Sequence, residues 1–267
     1  MMWQRGRAEA ARFDVLESID STNSELIRRT SSGDEPDFSV ILSTGQTAGR
    51  GRLGRQWIAP KGKTIAVSVL LRPTLPAGEP LDVDHFGWLP LIAGVAMATA
   101  VEAVIPRHRV GLKWPNDVQV DGLKVAGLLA ELAPTGDAVV IGAGLNVSIG
   151  ADELPTPTST SLELSGASLE GDELADVTLA AFLRTLRTLY TEFVRLGADA
   201  EASGIHQAVT ESCTTLGQQV RVDLPGGENL YGTATGIDRS GRLEVRRSSD
   251  GHTVTVAAGD ITHLRYE

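Results

Sequence analysis

The sequence predicts an α+β fold, a mixed sheet flanked by helices with a small antiparallel β-barrel at the C-terminal end. Three observations predict it. Apolar runs at 38–42, 64–71 and 138–147 have the length and the Val, Ile and Leu content of buried strands. Helical patterns, one apolar and Ala-rich at 88–104 and one amphipathic from Asp172 to a stop at Gly197, supply the flanking layers. From about Gly217 short strands alternate with Pro225-Gly-Gly, Asp238-Arg-Ser-Gly and Ser249-Asp-Gly, which is the signature of a small barrel. The expected division is therefore 1–216 and 217–267.

A chain of 267 residues with 42% hydrophobic content can bury a full core for one large and one small domain. No apolar run is read as approaching the roughly 20 residues of a bilayer span, and residues 1–13 are polar and Arg-bearing, without the apolar core of a signal peptide. A cytoplasmic protein without a membrane partner is expected. Cys213 is the sole cysteine, so an intrachain disulfide is excluded and the thiol is expected to be a buried small residue. The net charge of −10 argues against general nucleic-acid affinity, which needs a basic face. Against 20 arginines there are only four lysines, at 61, 63, 113 and 124, so each invites a specific reading.

In chain order, residues 15–20 read as a short strand ending in Ser21-Thr22-Asn23, with a helix from Ser24 to Arg29. Thr22 and Glu25 have capping-box spacing, so a helix start explains the triplet, and the same hydroxyls and amide can also receive a polar ligand group. After strand 38–42 comes Gln46-Thr-Ala-Gly-Arg-Gly-Arg-Leu-Gly-Arg-Gln-Trp57. Here Gly49, Gly51 and Gly54 free the backbone while Arg50, Arg52 and Arg55 place three charges within six residues. A solvated loop needs no such alternation. Pro60 and Gly62 then break the chain before strand 64–71, and Pro73, Pro76 and Pro80 mark a loop before helix 88–104. Pro115 ends a short run from Val110, and Asp121-Gly122 predicts a tight hairpin turn. Leu123 and Val125 then face one way and Lys124 the other. Alone, Lys124 reads as an exposed solubilising lysine; its nearness to Lys113, Asn116 and Asp117 favours a functional reading. Gly142 and Gly144, in the strand that ends with Asn146, mark either a close approach by a ligand or helix-on-sheet packing.

Gly49-x-Gly51-x-x-Gly54 matches the dinucleotide fingerprint literally but fails on context, because that fingerprint must open a helix and here another strand follows. No Gly-Lys-Ser/Thr follows, so it is not a Walker loop. The histidines at 85, 108, 206, 252 and 263 lack metal-ligand spacing, and no nucleophile elbow is present. What remains is a cationic loop, a lysine, an Asn-Asp pair and close-approach glycines. That inventory suits electrostatic stabilisation of phosphate rather than covalent catalysis.

On these residues the chain resembles the biotin protein ligases. Gln46 to Trp57 is similar to their GRGRxGRxW loop, and Lys113-Trp-Pro-Asn-Asp117, Lys124-Val-Ala-Gly127, Gly142-Ala-Gly-Leu-Asn146 and Ser21-Thr-Asn23 follow the family in order across 15–150. The resemblance implies a class II synthetase-like catalytic domain with an SH3-like C-terminal barrel. Only about 20 residues precede Ser21, which leaves no room for the DNA-binding domain of the repressor members, so the monofunctional type is expected. It also implies two steps: biotin carboxylate attacks the α-phosphate of Mg-ATP, giving biotinoyl-5′-adenylate and pyrophosphate, and the adenylate then acylates a lysine of a biotin carboxyl carrier domain of an acyl-CoA carboxylase.

By position in the motifs, Lys124 and Arg52 serve the biotin carboxylate and α-phosphate, and Arg50 and Arg55 serve loop closure and phosphates. Ser21, Thr22, Asn23 and Gln46 bind the head of biotin, with Gly49, Gly51 and Trp57 in the same loop contributing to its site. Gly127 and Gly142 allow close approach of the ring system. Lys113, Asn116, Asp117 and Asn146 face ATP; Mg²⁺ enters with ATP near Asp117, with no metal ligand assigned. Trp57 is expected to pack against the closed loop, and residues 46–63 to be poorly ordered without ligand and ordered with the adenylate. A monomer or weak homodimer is expected. The competing readings are a lipoate or octanoate ligase or transferase on the same scaffold, an NADP-linked oxidoreductase, and a regulator that binds biotin without turnover.

Overall fold

Strand β3, Thr64–Leu71, shows how the sequence builds its layers. Side chains alternate across a sheet, and every residue of β3 is buried, so both faces are covered. Ile65, Val67, Val69 and Leu71 enter the main core, while Leu70 enters a second, smaller cluster with Leu26 and Ile41. The computed structural model describes residues 2–31, 33, 35–57, 60–224, 228–257 and 260–263.

Around β3 lie β1 (Arg12–Leu16), β2 (Ser39–Ser43), β4 (Val110–Lys113), β5 (Asp117–Val120), β6 (Leu123–Leu132) and β7 (Val139–Asn146). They form a seven-stranded sheet in the order β1-β2-β3-β7-β6-β5-β4. Only β1 and β2 pair in parallel, so the sheet is mixed as expected. Helix α2, Thr22–Thr30, covers one face through Leu26. The other face is covered by α3, Trp88–Val104, and α4, Gly171–Arg195, whose Ile92, Ala96, Phe182 and Leu186 join the main core. Two short helices, α1 (Gln4–Ala8) and α5 (Ile205–Ser212), complete this side. α1 owes its place to a tertiary contact, since buried Asp176 accepts from the backbone N–H groups of Arg5 and Gly6 at 3.2 and 2.9 Å.

Strands β8 (Gln219–Asp223), β9 (Asn229–Ile237), β10 (Leu243–Arg247), β11 (Thr253–Val256) and β12 (Asp260–His263) form a second, antiparallel sheet in the order β11-β10-β9-β8-β12. The last strand returns to pair with the first, as in an SH3-like barrel. Two tryptophans of the large sheet's layer seat it: Trp88 Nε1 donates to Arg239 O at 3.0 Å and Trp114 Nε1 to Gly241 O at 3.1 Å. Gly241 has φ 77°, and a Cβ there would stand 3.0 Å from Leu91, so glycine suits the turn on both counts.

Several expectations need correction. The first strand is at 12–16 rather than 15–20, because its partner β2 selects the register. Helix α2 is capped by Ser21, whose Oγ accepts from Ser24 N at 3.4 Å; Glu25 instead binds Arg28 and Arg29, so no Thr22–Glu25 box forms. Glu170 rather than Asp172 occupies the N-cap of α4. The stretch Val83–Val104 is long and apolar enough to cross a membrane by length and composition, against the reading that no run approaches it. Most of it is buried within the protein, and a helix apolar all round suits the core of a large domain. Along β6 Leu123 stands opposite the core residue Val120 and Val125 is fully buried in the main core, while Lys124 lines the cavity described below. An irregularity between the pairs Val118↔Ala126 and Gln119↔Lys124 leaves Val125 unmatched, and Leu123, next to the hairpin turn, is 36% exposed.

Candidate active site

The alternation that sends odd residues of β3 and β7 into the core sends their even residues to the α2 side. Facing pairs Ser68↔Gly142, Ala66↔Gly144 and Thr64↔Asn146 run across β3 and β7. On the next strand Leu129 stands opposite Gly142 and Gly127 opposite Gly144. Rows of small residues thus make a floor. A cavity of about 460 Å³ lies over it, within the range of roughly 300–1,000 Å³ usual for small-molecule sites. The glycines are needed for what presses on them. A Cβ on Gly144 would come within 2.4 Å of the Trp57 indole, and one on Gly142 within 2.3 Å of Asn23 Oδ1. At Gly127 it would meet Lys124 Nζ at 2.9 Å and Trp57 at 3.3 Å. The close approaches at Gly127 and Gly142 are thus made here by the protein's own side chains.

One end of the cavity is neutral and buried. Ser21, Thr22 and Asn23 are 3–4% exposed at the start of α2. Gln46 Oε1 accepts from Thr22 N at 2.8 Å and lies 3.2 Å from Thr22 Oγ1. Ser68 Oγ lies 2.6 Å from Asn23 Oδ1 and 2.8 Å from Thr22 Oγ1. The Asn23 amide donates to Glu131 Oε2 at 2.8 Å and to Leu129 O at 3.3 Å.

The other end is charged. Lys124 Nζ stands 2.6 Å from Asp117 Oδ1 and 5.8 Å from the centre of the Trp57 ring. Arg52 donates to Asn116 Oδ1 at 3.2 Å, and Asn116 Nδ2 in turn to Leu128 O at 2.8 Å, which fixes the amide with its oxygen toward the arginine. Arg50 points instead toward the start of α2, where it pairs with Glu131 at 2.9 Å and lies 3.0 Å from Ser24 Oγ. Asn146 Nδ2 donates to Thr160 O at 2.9 Å and ties this end to segment 155–160, which is also anchored on both sides of Lys124. The buried Trp57 Nε1 has no hydrogen-bond partner among the described residues, so a donor is left over at the cavity wall.

The arginine loop is held by its own backbone. Gly51 N donates to Arg55 O at 2.7 Å, Trp57 N to Gly49 O at 2.9 Å, and Arg52–Gly54 make one 3-10 turn with Leu53 at φ 54°. Among the described residues no α-helix follows before β3, which removes the structural context a dinucleotide fingerprint needs. Residues 58 and 59 of the segment expected to order with ligand lie outside the described residues.

Apart from Gly49, every residue assigned from the sequence to the biotin or ATP site lines this cavity; Gly49 and Gly54 line an adjoining cleft of about 1130 Å³ that runs to Ser240 and Arg242, and Lys61 and Lys63 line neither. A Cβ on Gly49 would meet Gln46 Nε2 at 2.9 Å and Trp57 O at 2.8 Å, so it packs beneath the loop. Sequence reading missed Ser68 and Glu131. Ser68 carried a signal, being the one hydroxyl within the run Ile65 to Leu71; Glu131 closes an apolar run and carries no local signal of a role in the site.

The family model "Biotin/lipoate A/B protein ligase family" matches residues 15–146, and "Biotin protein ligase C terminal domain" matches 215–264. The chain is 38% identical over 262 residues to a biotin–[acetyl-CoA-carboxylase] ligase of Mycobacterium tuberculosis, covering 95% of this chain and 89% of that protein. A protein of the same name from Paracoccus denitrificans is 31% identical, with 91% and 98% covered. Among solved structures, the biotin protein ligase of Aquifex aeolicus in complex with biotin and ATP superposes with a TM-score of 0.71 at 25% identity, covering 96% of this chain and all of that one. Whole-length similarity thus coincides with a site built from the same motifs, and the chain belongs to the biotin protein ligase family.

Proposed function

We propose that this protein activates biotin with ATP to biotinoyl-5′-adenylate and transfers the biotinoyl group to a lysine of a biotin carboxyl carrier domain of an acyl-CoA carboxylase. The observation that carries the reading is the polarity of the cavity: buried neutral hydrogen-bonding groups at one end and Lys124 and Arg52 around the other. Biotin has the same polarity, a neutral cyclic urea at one end and a carboxylate at the other.

Biotin carboxylate and ATP are both anionic, so the first step must overcome their repulsion and stabilise the charge that gathers on the α-phosphate. Lys124 and Arg52 are the donors for that centre; one well-placed donor of this kind contributes roughly 3 kcal/mol to a transition state. Lys124 is held by Asp117 until substrate competes for it. Ser21, Thr22, Asn23 and Gln46 read the biotin head, with Ser68 fixing the orientation of Thr22 and Asn23 from below. Arg55, Lys113, Asn116 and Asn146 face the nucleotide. Trp57 offers its indole face to apolar parts of the ligand and its free N–H to an acceptor. The loop orders fully when anions arrive and keeps water from the mixed anhydride.

Among the described residues no group of three or more His, Cys, Asp or Glu could hold a metal. Asp117 lines the cavity and offers one carboxylate, which suits Mg²⁺ carried in by ATP, an ion that keeps several waters and takes one or two carboxylates; Asp117 would contact it, and the ion would supply charge neutralisation on the phosphates. The deciding experiment is exchange of labelled pyrophosphate into ATP with Mg²⁺. Exchange that requires biotin supports the reading, whereas exchange that requires lipoate moves the protein to the sister activity. No exchange with either acid contradicts it.

A further inference from the structure

Glu131 is absent from every motif that pointed to this site, yet one of its oxygens joins the neutral end of the cavity to the arginine loop. Oε2 accepts from Asn23 Nδ2 at 2.8 Å and from Arg50 Nη2 at 2.9 Å. The same Arg50 nitrogen lies 3.0 Å from Ser24 Oγ in the first turn of α2. Arg50 is therefore directed to the frame formed by α2 and β6, while Arg52, two residues on, is directed to Asn116. Alternate residues of the loop do different work.

We propose that Glu131 is a positioning residue with two coupled tasks, fixing the amide of Asn23 for the biotin head and latching the arginine loop through Arg50. The claim rests on the function proposed above. Asn23 is 4% exposed, and its two amide atoms are sorted by their partners: Nδ2 faces Glu131 and Leu129 O, and Oδ1 faces Ser68. Without Glu131 the amide nitrogen keeps only the longer bond to Leu129 O. The Arg50–Glu131 pair is partly open to solvent, with side chains 45% and 24% exposed, so its effect is moderate and sensitive to salt. A latch of moderate strength suits a loop that must close over an adenylate and then release it to an acceptor lysine.

Two rates test this, one with substrates and one without. The first is release of preformed labelled biotinoyl-adenylate from the protein; the second is tryptic cleavage after Arg52 or Arg55, sites that every variant below retains, in the ligand-free protein. Glu131→Gln keeps an acceptor for Asn23 and removes the charge, so both rates should rise about threefold with little change in biotin KM. Glu131→Ala also strips the Asn23 partner, so biotin KM should rise roughly tenfold as well. Arg50→Gln should match Glu131→Gln, and the double variant should be no worse than either, as a single shared interaction requires. Wild-type rates in Glu131→Gln, or additive effects in the double variant, would overturn the latch. A wild type that forms no adenylate would overturn the proposed function and the claim on retention together, while the tryptic comparison, which needs no substrate, would still decide the latch.

Discussion

The two ends of the cavity solve opposite problems with different materials. At the neutral end Ser21, Thr22, Asn23 and Ser68 are nearly inaccessible and carried by a helix start and a central strand, with Ser68 bonded to both Thr22 and Asn23. At the charged end Lys124 and Arg52 are more open and are carried on a hairpin and a loop, each engaged by a protein partner that an anion could replace. Prepaid organisation at the first end gives recognition, because a buried polar group left unpaired by the wrong ligand costs about 1–3 kcal/mol. Exchangeable partners at the second end let charge be delivered when the reacting groups arrive.

The largest effect that would sharpen this contrast is at Lys124. Lys124→Ala should lower the rate of pyrophosphate exchange roughly a hundred- to a thousandfold, measured at saturating biotin and ATP. At the neutral end Gly142→Ala should act on binding instead. Its Cβ would stand 2.3 Å from Asn23 Oδ1, so the amide must leave Ser68. We expect biotin KM to rise roughly ten- to a hundredfold with kcat changed far less, as steady-state kinetics would show. Ser68→Ala removes one donor from the same network, and calorimetry should find biotin bound roughly fivefold more weakly. Salt provides a smaller test: raising ionic strength from about 0.05 to 0.5 M should increase KM for ATP severalfold and leave KM for biotin nearly level. Equal responses at both ends would remove the distinction.

The smallest effect concerns stability beside the neutral end. Hydrogen bonds from Arg28, then from Ser21 N, hold the Asp20 carboxyl down to about 2. Because the folded value lies below the unfolded one, its contribution is complete above the ordinary carboxylate range near 4 and lost as pH falls through about 2. Acid unfolding of Asp20→Asn should therefore differ from wild type at pH 6 and converge with it near pH 2.

Local chemistry made some of this legible. The bounds of Thr64–Leu71 and Trp88–Val104 follow from apolar content alone, and Asp121-Gly122 adopts positive φ at both residues, as the hairpin signal requires. The charged end was readable because its lysine is rare and its arginines alternate with glycine. What was not legible depends on distant partners. The first strand was misplaced because β2 sets its register, and α1 was missed because Asp176, some 170 residues away, satisfies its first N–H groups. Glu131 escaped notice because its meaning lies in Asn23 and Arg50, 108 and 81 residues distant. Strand β12 was not read, since it gains its identity from pairing with β8.

The most direct test measures two quantities on one variant, biotin binding by calorimetry and biotin-dependent pyrophosphate exchange, for Lys124→Ala against wild type. The two-ended site predicts exchange reduced by about two orders of magnitude or more with biotin affinity within about tenfold. Exchange close to wild type, or biotin affinity lost in step with exchange, would contradict the division of recognition from chemistry.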